Sequence, residues 1–104
     1  MLYETLNDIL KKRTQKKWSN NTYIVRISDT EIVVRLHDTN ILTVTKNRVT
    51  LNNGGWFTHT TKARMNEFLP EHTLHQKNFK WFLNDTPFLN DMYITVKSGV
   101  IHYD

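Results

Sequence analysis

Between residues 22 and 51 the chain repeats one pattern, a short β-branched run followed by a polar break. The runs are Thr22-Tyr23-Ile24-Val25-Arg26-Ile27, Glu31-Ile32-Val33-Val34-Arg35-Leu36-His37, Asn40-Ile41-Leu42-Thr43-Val44-Thr45 and Arg48-Val49-Thr50-Leu51. The breaks are two or three residues long, too short for the crossover that parallel pairing demands, so neighbouring strands must pair as antiparallel hairpins. In the second run Ile32, Val34 and Leu36 share one face while Val33, Arg35 and His37 share the other, the alternation of a half-buried sheet. The abundance of Thr (14) and Asn (11) fits this reading, because Thr suits strands and Asn suits tight turns.

Two segments have helical rather than strand periodicity. Leu2, Leu6, Ile9 and Leu10 fall at i, i+4, i+7 and i+8, predicting an amphipathic helix over residues 2–13. So short a helix is marginal alone in water, which favours docking on the sheet over service as a partner interface. Met65, Phe68 and Leu69 give a second apolar stripe, over residues 61–69, with Pro70 as its stop. The C-terminal third reads as strands at 78–83, 92–96 and 100–103, with a loop at Asp85-Thr86-Pro87 and a two-residue hairpin connection at Ser98-Gly99. The expected fold is α+β: an antiparallel sheet, a meander plus a C-terminal hairpin, with an N-terminal helix and one short central helix. At 104 residues it is a single domain. Residues 1–17 form its helix with a basic end, and residues 20–104 form its core.

Several classes of function are excluded or disfavoured. With no cysteine there is no disulfide framework, thiolate metal site or thiol nucleophile. No apolar run reaches the roughly 18 residues of a membrane span, and Met1-Leu2-Tyr3-Glu4 does not open a signal peptide. These features predict a soluble, intracellular protein without a membrane partner. His72-x-x-His75 lacks a third ligand at zinc spacing, and the acids are scattered singly, so neither a metal centre nor a paired-carboxylate centre is expected. The balance leans away from an enzyme and implies no cofactor.

Charge is unevenly placed. The formal net charge is +4, and Lys11, Lys12, Arg13, Lys16 and Lys17 supply five of the 14 cations without an acid among them. The rest of the chain carries nine cations against 10 acids. Such a cluster is either a phosphate-binding patch or a solvated helix end.

The segment richest in chemical signals is Gly54-Gly55-Trp56-Phe57-Thr58-His59-Thr60-Thr61-Lys62-Ala63-Arg64-Met65-Asn66. The glycine pair permits positive φ and close backbone approach. With Thr60 as N-cap, Lys62 and Arg64 fall in the first helical turn. Cations are disfavoured there by about 0.3–1 kcal/mol each. No acid lies between Asp38 and Glu67 to compensate. An anion held by free amides, Thr60, Thr61, Lys62 and Arg64 would reverse that penalty; alternatively the cations pair with acids of other strands such as Asp38 or Asp91. Trp56 is either core or a stacking platform for a base. His37, beside Arg35 on one strand face, either joins this polar surface or is an ordinary turn histidine. No Walker spacing is present.

These residues also carry a resemblance. Asn21-Thr22-Tyr23, Arg35-Leu36-His37-Asp38-Thr39-Asn40-Ile41, Leu51-Asn52-Asn53-Gly54-Gly55-Trp56, Thr58, Thr60-Thr61-Lys62 and Arg64-Met65-Asn66 together resemble short uncharacterised proteins of tailed bacteriophages. The likeness continues through Trp81 and Pro87-Phe88 to Asp91-Met92, where the family's usual Asp-Gly-Met lacks its Gly. It covers the chain from about residue 20 onward and implies a phage setting, hence the host cytoplasm. The leading expectation is a non-enzymatic phage accessory protein that binds phosphate-bearing ligands, foremost nucleic acid. Its rivals are a protein-binding modulator of a host enzyme or defence complex, and a protein that sequesters a nucleotide signal.

Overall fold

The N-terminal periodicity folds as α1, Leu2–Leu10, with Tyr3, Leu6 and Leu10 buried. The computed structural model describes residues 2–69 and 71–103. The helix lies on the sheet: the Tyr3 hydroxyl donates to the Asp29 carbonyl (2.9 Å), and Arg26 donates to Asn7 Oδ1 (2.8 Å) and to the Lys11 carbonyl (3.0 Å). It ends three residues earlier than its pattern predicts. Lys11 takes φ +55, and the chain turns back as β1, Gln15–Ser19. The basic stretch is therefore a turn and a sheet edge, not a helix end. Pairing with the following strand, and a tilted ring contact of Trp18 with Phe68 (centroids 5.1 Å apart), outweigh the helical propensity of the lysines. Lysines along an edge strand also discourage pairing with other chains.

The meander follows as expected: β2 (Thr22–Ser28), β3 (Glu31–Leu36), β4 (Thr39–Val44) and β5 (Arg48–Leu51). The later elements are α2 (His59–Phe68), β6 (Leu74–Lys77), β7 (Lys80–Leu83), β8 (Thr86–Pro87), β9 (Tyr93–Thr95) and β10 (Ile101–His102). One antiparallel sheet has the order β1-β2-β3-β4-β5-β9-β10, and a second, small sheet has the order β6-β7-β8. The fold is thus α+β as predicted. The small sheet was not expected, and Thr86–Pro87 is an edge strand of it rather than a loop. The β9–β10 hairpin closes through residues 96–100, with Gly99 at φ +72, a longer connection than Ser98-Gly99 alone.

One face of the large sheet carries the core. Register aligns Ile24, Val34, Leu42 and Leu51 in one row, and Ile32, Val44, Val49 and Ile94 in the next. All eight are buried. Helix α2 adds Met65 and Phe68, with Leu69 beyond its end; the small sheet adds Leu74, Trp81 and Leu83. Asn66 ties these two elements together. Its Nδ2 donates to the Leu74 carbonyl (2.9 Å) and its Oδ1 accepts from the Leu74 amide (2.8 Å). Pro70, expected to stop α2, lies outside the described residues.

Candidate functional site

The loop between β5 and α2 is built from two successive Asx turns. Asn52 Oδ1 accepts from the Gly54 amide (2.7 Å) and Asn53 Oδ1 from the Gly55 amide (2.8 Å). Gly54 holds φ +62, and a Cβ there would stand 2.7 Å from Thr39 Oγ1 and 2.9 Å from its Cγ2. Glycine is therefore required on both counts, and it seats the loop directly on the β3–β4 turn. From the other side, Asn90 Oδ1 accepts from the Asn53 amide (2.8 Å), and Asn52 Nδ2 donates to Asp91 Oδ1 (2.9 Å).

This arrangement leaves a pocket of about 600 Å³. Leu36 and Ile41 supply its buried apolar lining, the turn residues Asn21, His37, Asp38 and Thr39 one side, and Asn53, Trp56, Thr58, Thr60 and Thr61 the other. Two turns are locked together here: His37, at φ +53, donates its amide to the carbonyl of Asn21, itself at φ +56 (2.7 Å). Trp56 is 63% exposed, so it is a surface platform and not core.

The N-terminus of α2 opens on this pocket. Its N-cap is Thr58, at φ −102 and ψ 157, whose Oγ1 accepts from the Thr61 amide (3.2 Å). The expected cap at Thr60 is thus two residues too late. Thr58 satisfies the same chemistry first, and Thr60 then lies within the helix. Among the described residues the amides of His59 and Thr60 have no protein acceptor, as befits first-turn donors. A further unpaired donor belongs to Asn53, which lines the same pocket as Thr60. Asn53 is 0% exposed, and its Nδ2 has no partner among the described residues. Because its Oδ1 must face the Gly55 amide, the NH2 group cannot be flipped onto that contact.

The cations expected to crown this site go elsewhere. With the cap at Thr58, Lys62 falls at the fourth helical position and Arg64 at the sixth, and they diverge. Arg64 donates to Thr22 Oγ1 (3.0 Å) and pairs with Glu67 (3.3 Å), the one ion pair among the described residues. Lys62 reaches Gln76 Oε1 (3.4 Å) and lies 6.0 Å above the Trp81 ring. Arg35 donates to Asn40 Oδ1 (2.8 Å) on the opposite face of the large sheet. Lys16 and Lys17 are exposed on β1, the strand that leads toward Asn21, whereas Lys11, Lys12 and Arg13 occupy its far end. The pocket thus gathers Trp56, Thr60, Thr61 and His37 from the sequence reading and leaves all eight Lys and Arg residues of that reading outside it. His72 and His75 separate as well, onto the carbonyls of Gly99 and Asn84.

Sequence reasoning gives Asn53 no role in the site and offers Asp38 only as an acid partner for Lys62 or Arg64, whereas the ion pair that forms among the described residues is Arg64–Glu67. The Asn-Gly-Gly run signals a turn, but an orphaned side-chain donor depends on burial by distant strands, which local spacing does not encode.

Comparison with known families supplies the setting. The family model described as the Kyanoviridae Gp96 protein matches residues 2–99. The chain belongs to this family. Its phage origin agrees with the resemblance read from residue 20 onward, and the match takes in α1 and the basic turn as well. No curated protein and no solved structure matches the chain. No helix among the described residues of this Gp96-family chain is long and apolar enough to cross a membrane.

Proposed function

We propose that this Gp96-family chain is a small, non-enzymatic phage accessory protein that binds a phosphate-bearing ligand of nucleotide type in the host cytoplasm. The observation that carries this reading is the unpartnered Nδ2 of fully buried Asn53 in the wall of a pocket that also receives a helix N-terminus. A buried donor left unpaired costs about 1–3 kcal/mol. A ligand acceptor at that point removes the cost.

Each part of a nucleotide finds a complement. Phosphate oxygens accept from the His59 and Thr60 amides and the Thr60 hydroxyl, favoured by the positive end of the α2 dipole. The base lies on Trp56, a contact worth about 1–3 kcal/mol. Asp38 would repel a phosphate placed beside it, so its carboxylate belongs with the donors of the ligand, a sugar hydroxyl or an exocyclic amine. His37 borders the same edge. In this reading Lys62 and Arg64 do not grip the phosphate; Arg64 braces α2 against β2.

Calorimetric titration with nucleoside monophosphates tests the assignment. Trp56→Ala should raise Kd by about tenfold, the equivalent of roughly 1.4 kcal/mol of lost stacking. The melting temperature should stay unchanged, because the side chain is largely exposed. Asn53→Asp keeps the acceptor for Gly55 but replaces the donor with a negative charge, and should abolish saturable binding. Equal affinity in wild type and Trp56→Ala would refute the site.

A further inference from the structure

The β6–β7 hairpin ends in a turn whose chemistry makes no sense for the fold alone. Its two central residues, Asn78 and Phe79, hold φ +53 and +65, and Lys77 pairs with Lys80 across them. Two-residue hairpins with both φ values positive favour Asn first and Gly second. Here the second residue is Phe79, a bulky side chain in a backbone region it disfavours, and it is 96% exposed. An aromatic ring held out in water at a strained position is a liability unless something covers it.

Phe79 also borders a groove. Together with Phe57, Lys80, Trp81, Phe82 and Phe88 it surrounds a cleft of about 340 Å³. Phe57 is 60% exposed and stands edge-on to Trp81, with centroids 5.2 Å apart. Cations stand near it: Lys80 lines the cleft, Lys77 is its cross-strand partner at the tip, and Lys62 of α2 lies 6.0 Å from the Trp81 ring. No acid occurs between Glu71 and Asp85. The adjoining residues Trp56 and Phe57 line different clefts, Trp56 the nucleotide pocket and Phe57 this groove. The two clefts are therefore neighbours across one stretch of backbone.

We infer that this groove extends the nucleotide pocket into a track for single-stranded nucleic acid. Phe79 stacks on an unpaired base, Phe57 and Trp81 line the seat of that base, and Lys77, Lys80 and Lys62 neutralise the phosphates. Aromatic platforms set among cations are how sequence-tolerant single-strand binding is built. The inference rests on the nucleotide reading of the first pocket and specifies a polymer as its ligand.

Fluorescence anisotropy with a labelled oligothymidylate of about twelve nucleotides, beside calorimetry with thymidine monophosphate, tests the inference. Phe79→Gly suits the turn and keeps the fold, so it should lower oligonucleotide affinity about tenfold while leaving monophosphate affinity unchanged. The double variant Lys77→Ala/Lys80→Ala should flatten the dependence of log K on log salt by about 1.4, two phosphate contacts' worth for a single strand. If Phe79→Gly binds the oligonucleotide as well as wild type does, the track is overturned while the monophosphate pocket stands; the exposed aromatics then belong to a protein contact. Tighter binding to the matching duplex also overturns it. Failure of wild type to bind either ligand removes the pocket and the track together.

Discussion

Gly54→Ala should lower stability by about 2–4 kcal/mol, the sum of left-handed strain at a residue with a Cβ and of overpacking against a neighbour. The neighbour is Thr39, whose Oγ1, Cγ2 and Cβ would lie 2.7, 2.9 and 3.4 Å from the new methyl. A β-branched side chain has no long arm to swing aside, and rotation about χ1 exchanges one close atom for another. For a domain of this size the loss corresponds to a fall in melting temperature of roughly 10–20 °C. Gly55→Ala separates the two contributions. Gly55 holds φ +86 with nothing within 4 Å of its built Cβ, so only the strain of about 1–2 kcal/mol applies. Thr39→Ala introduced into Gly54→Ala should restore the steric part and leave the conformational part. Equal melting temperatures for Gly54→Ala and Gly55→Ala would show that the loop does not rest on the β3–β4 turn.

Leu6→Ala should be costlier still, at about 2–5 kcal/mol, because it opens a cavity where α1 meets the sheet. Leu6 is fully buried, and Tyr3 and Leu10 lie within the same core cluster. In chemical denaturation the midpoint should fall while the slope stays constant, the mark of one cooperative unit that includes the helix. An unchanged midpoint would mean that α1 is a detachable partner segment. The alternative role of α1 as an interface would then be the correct one.

How much of this was legible in the sequence follows from the range of the interactions involved. The meander was legible because each hairpin is local: period-two alternation and short polar breaks leave one topology. The apolar stripes of both helices were legible for the same reason. The end of α1 was not, because Lys11 takes positive φ in place of the Gly or Asn that signals a helix stop. Strand β1 forms only because β2 and Phe68 are there to receive it. In the site segment, the stretch of chain that the sequence singles out does border a pocket, but its two cations are not what brings it there. A cap at Thr60 puts two cations at the helix start, whereas the cap at Thr58 moves them two residues further in, where they reach Thr22 and Gln76. What remains at the helix start is a set of neutral donors, with Asn53, whose amide is orphaned, and the exposed Trp56 in the lining of the same pocket. Phe79 illustrates the converse. Its exposure and positive φ look unremarkable in the string Lys77-Asn78-Phe79-Lys80 until the register shows it at the hairpin tip.

The central claim is that the N-terminus of α2 and Asn53 together receive an anionic acceptor. The most direct measurement is an NMR titration of isotope-labelled protein with a nucleoside monophosphate, following backbone amides and the side-chain NH2 of Asn53. The account predicts saturable shifts concentrated at His59, Thr60, the Asn53 side chain and the Trp56 indole, with little change at Lys16, Lys17 or Arg35. Shifts confined to the exposed lysines, or an Asn53 side-chain signal that stays fixed while others saturate, would contradict it.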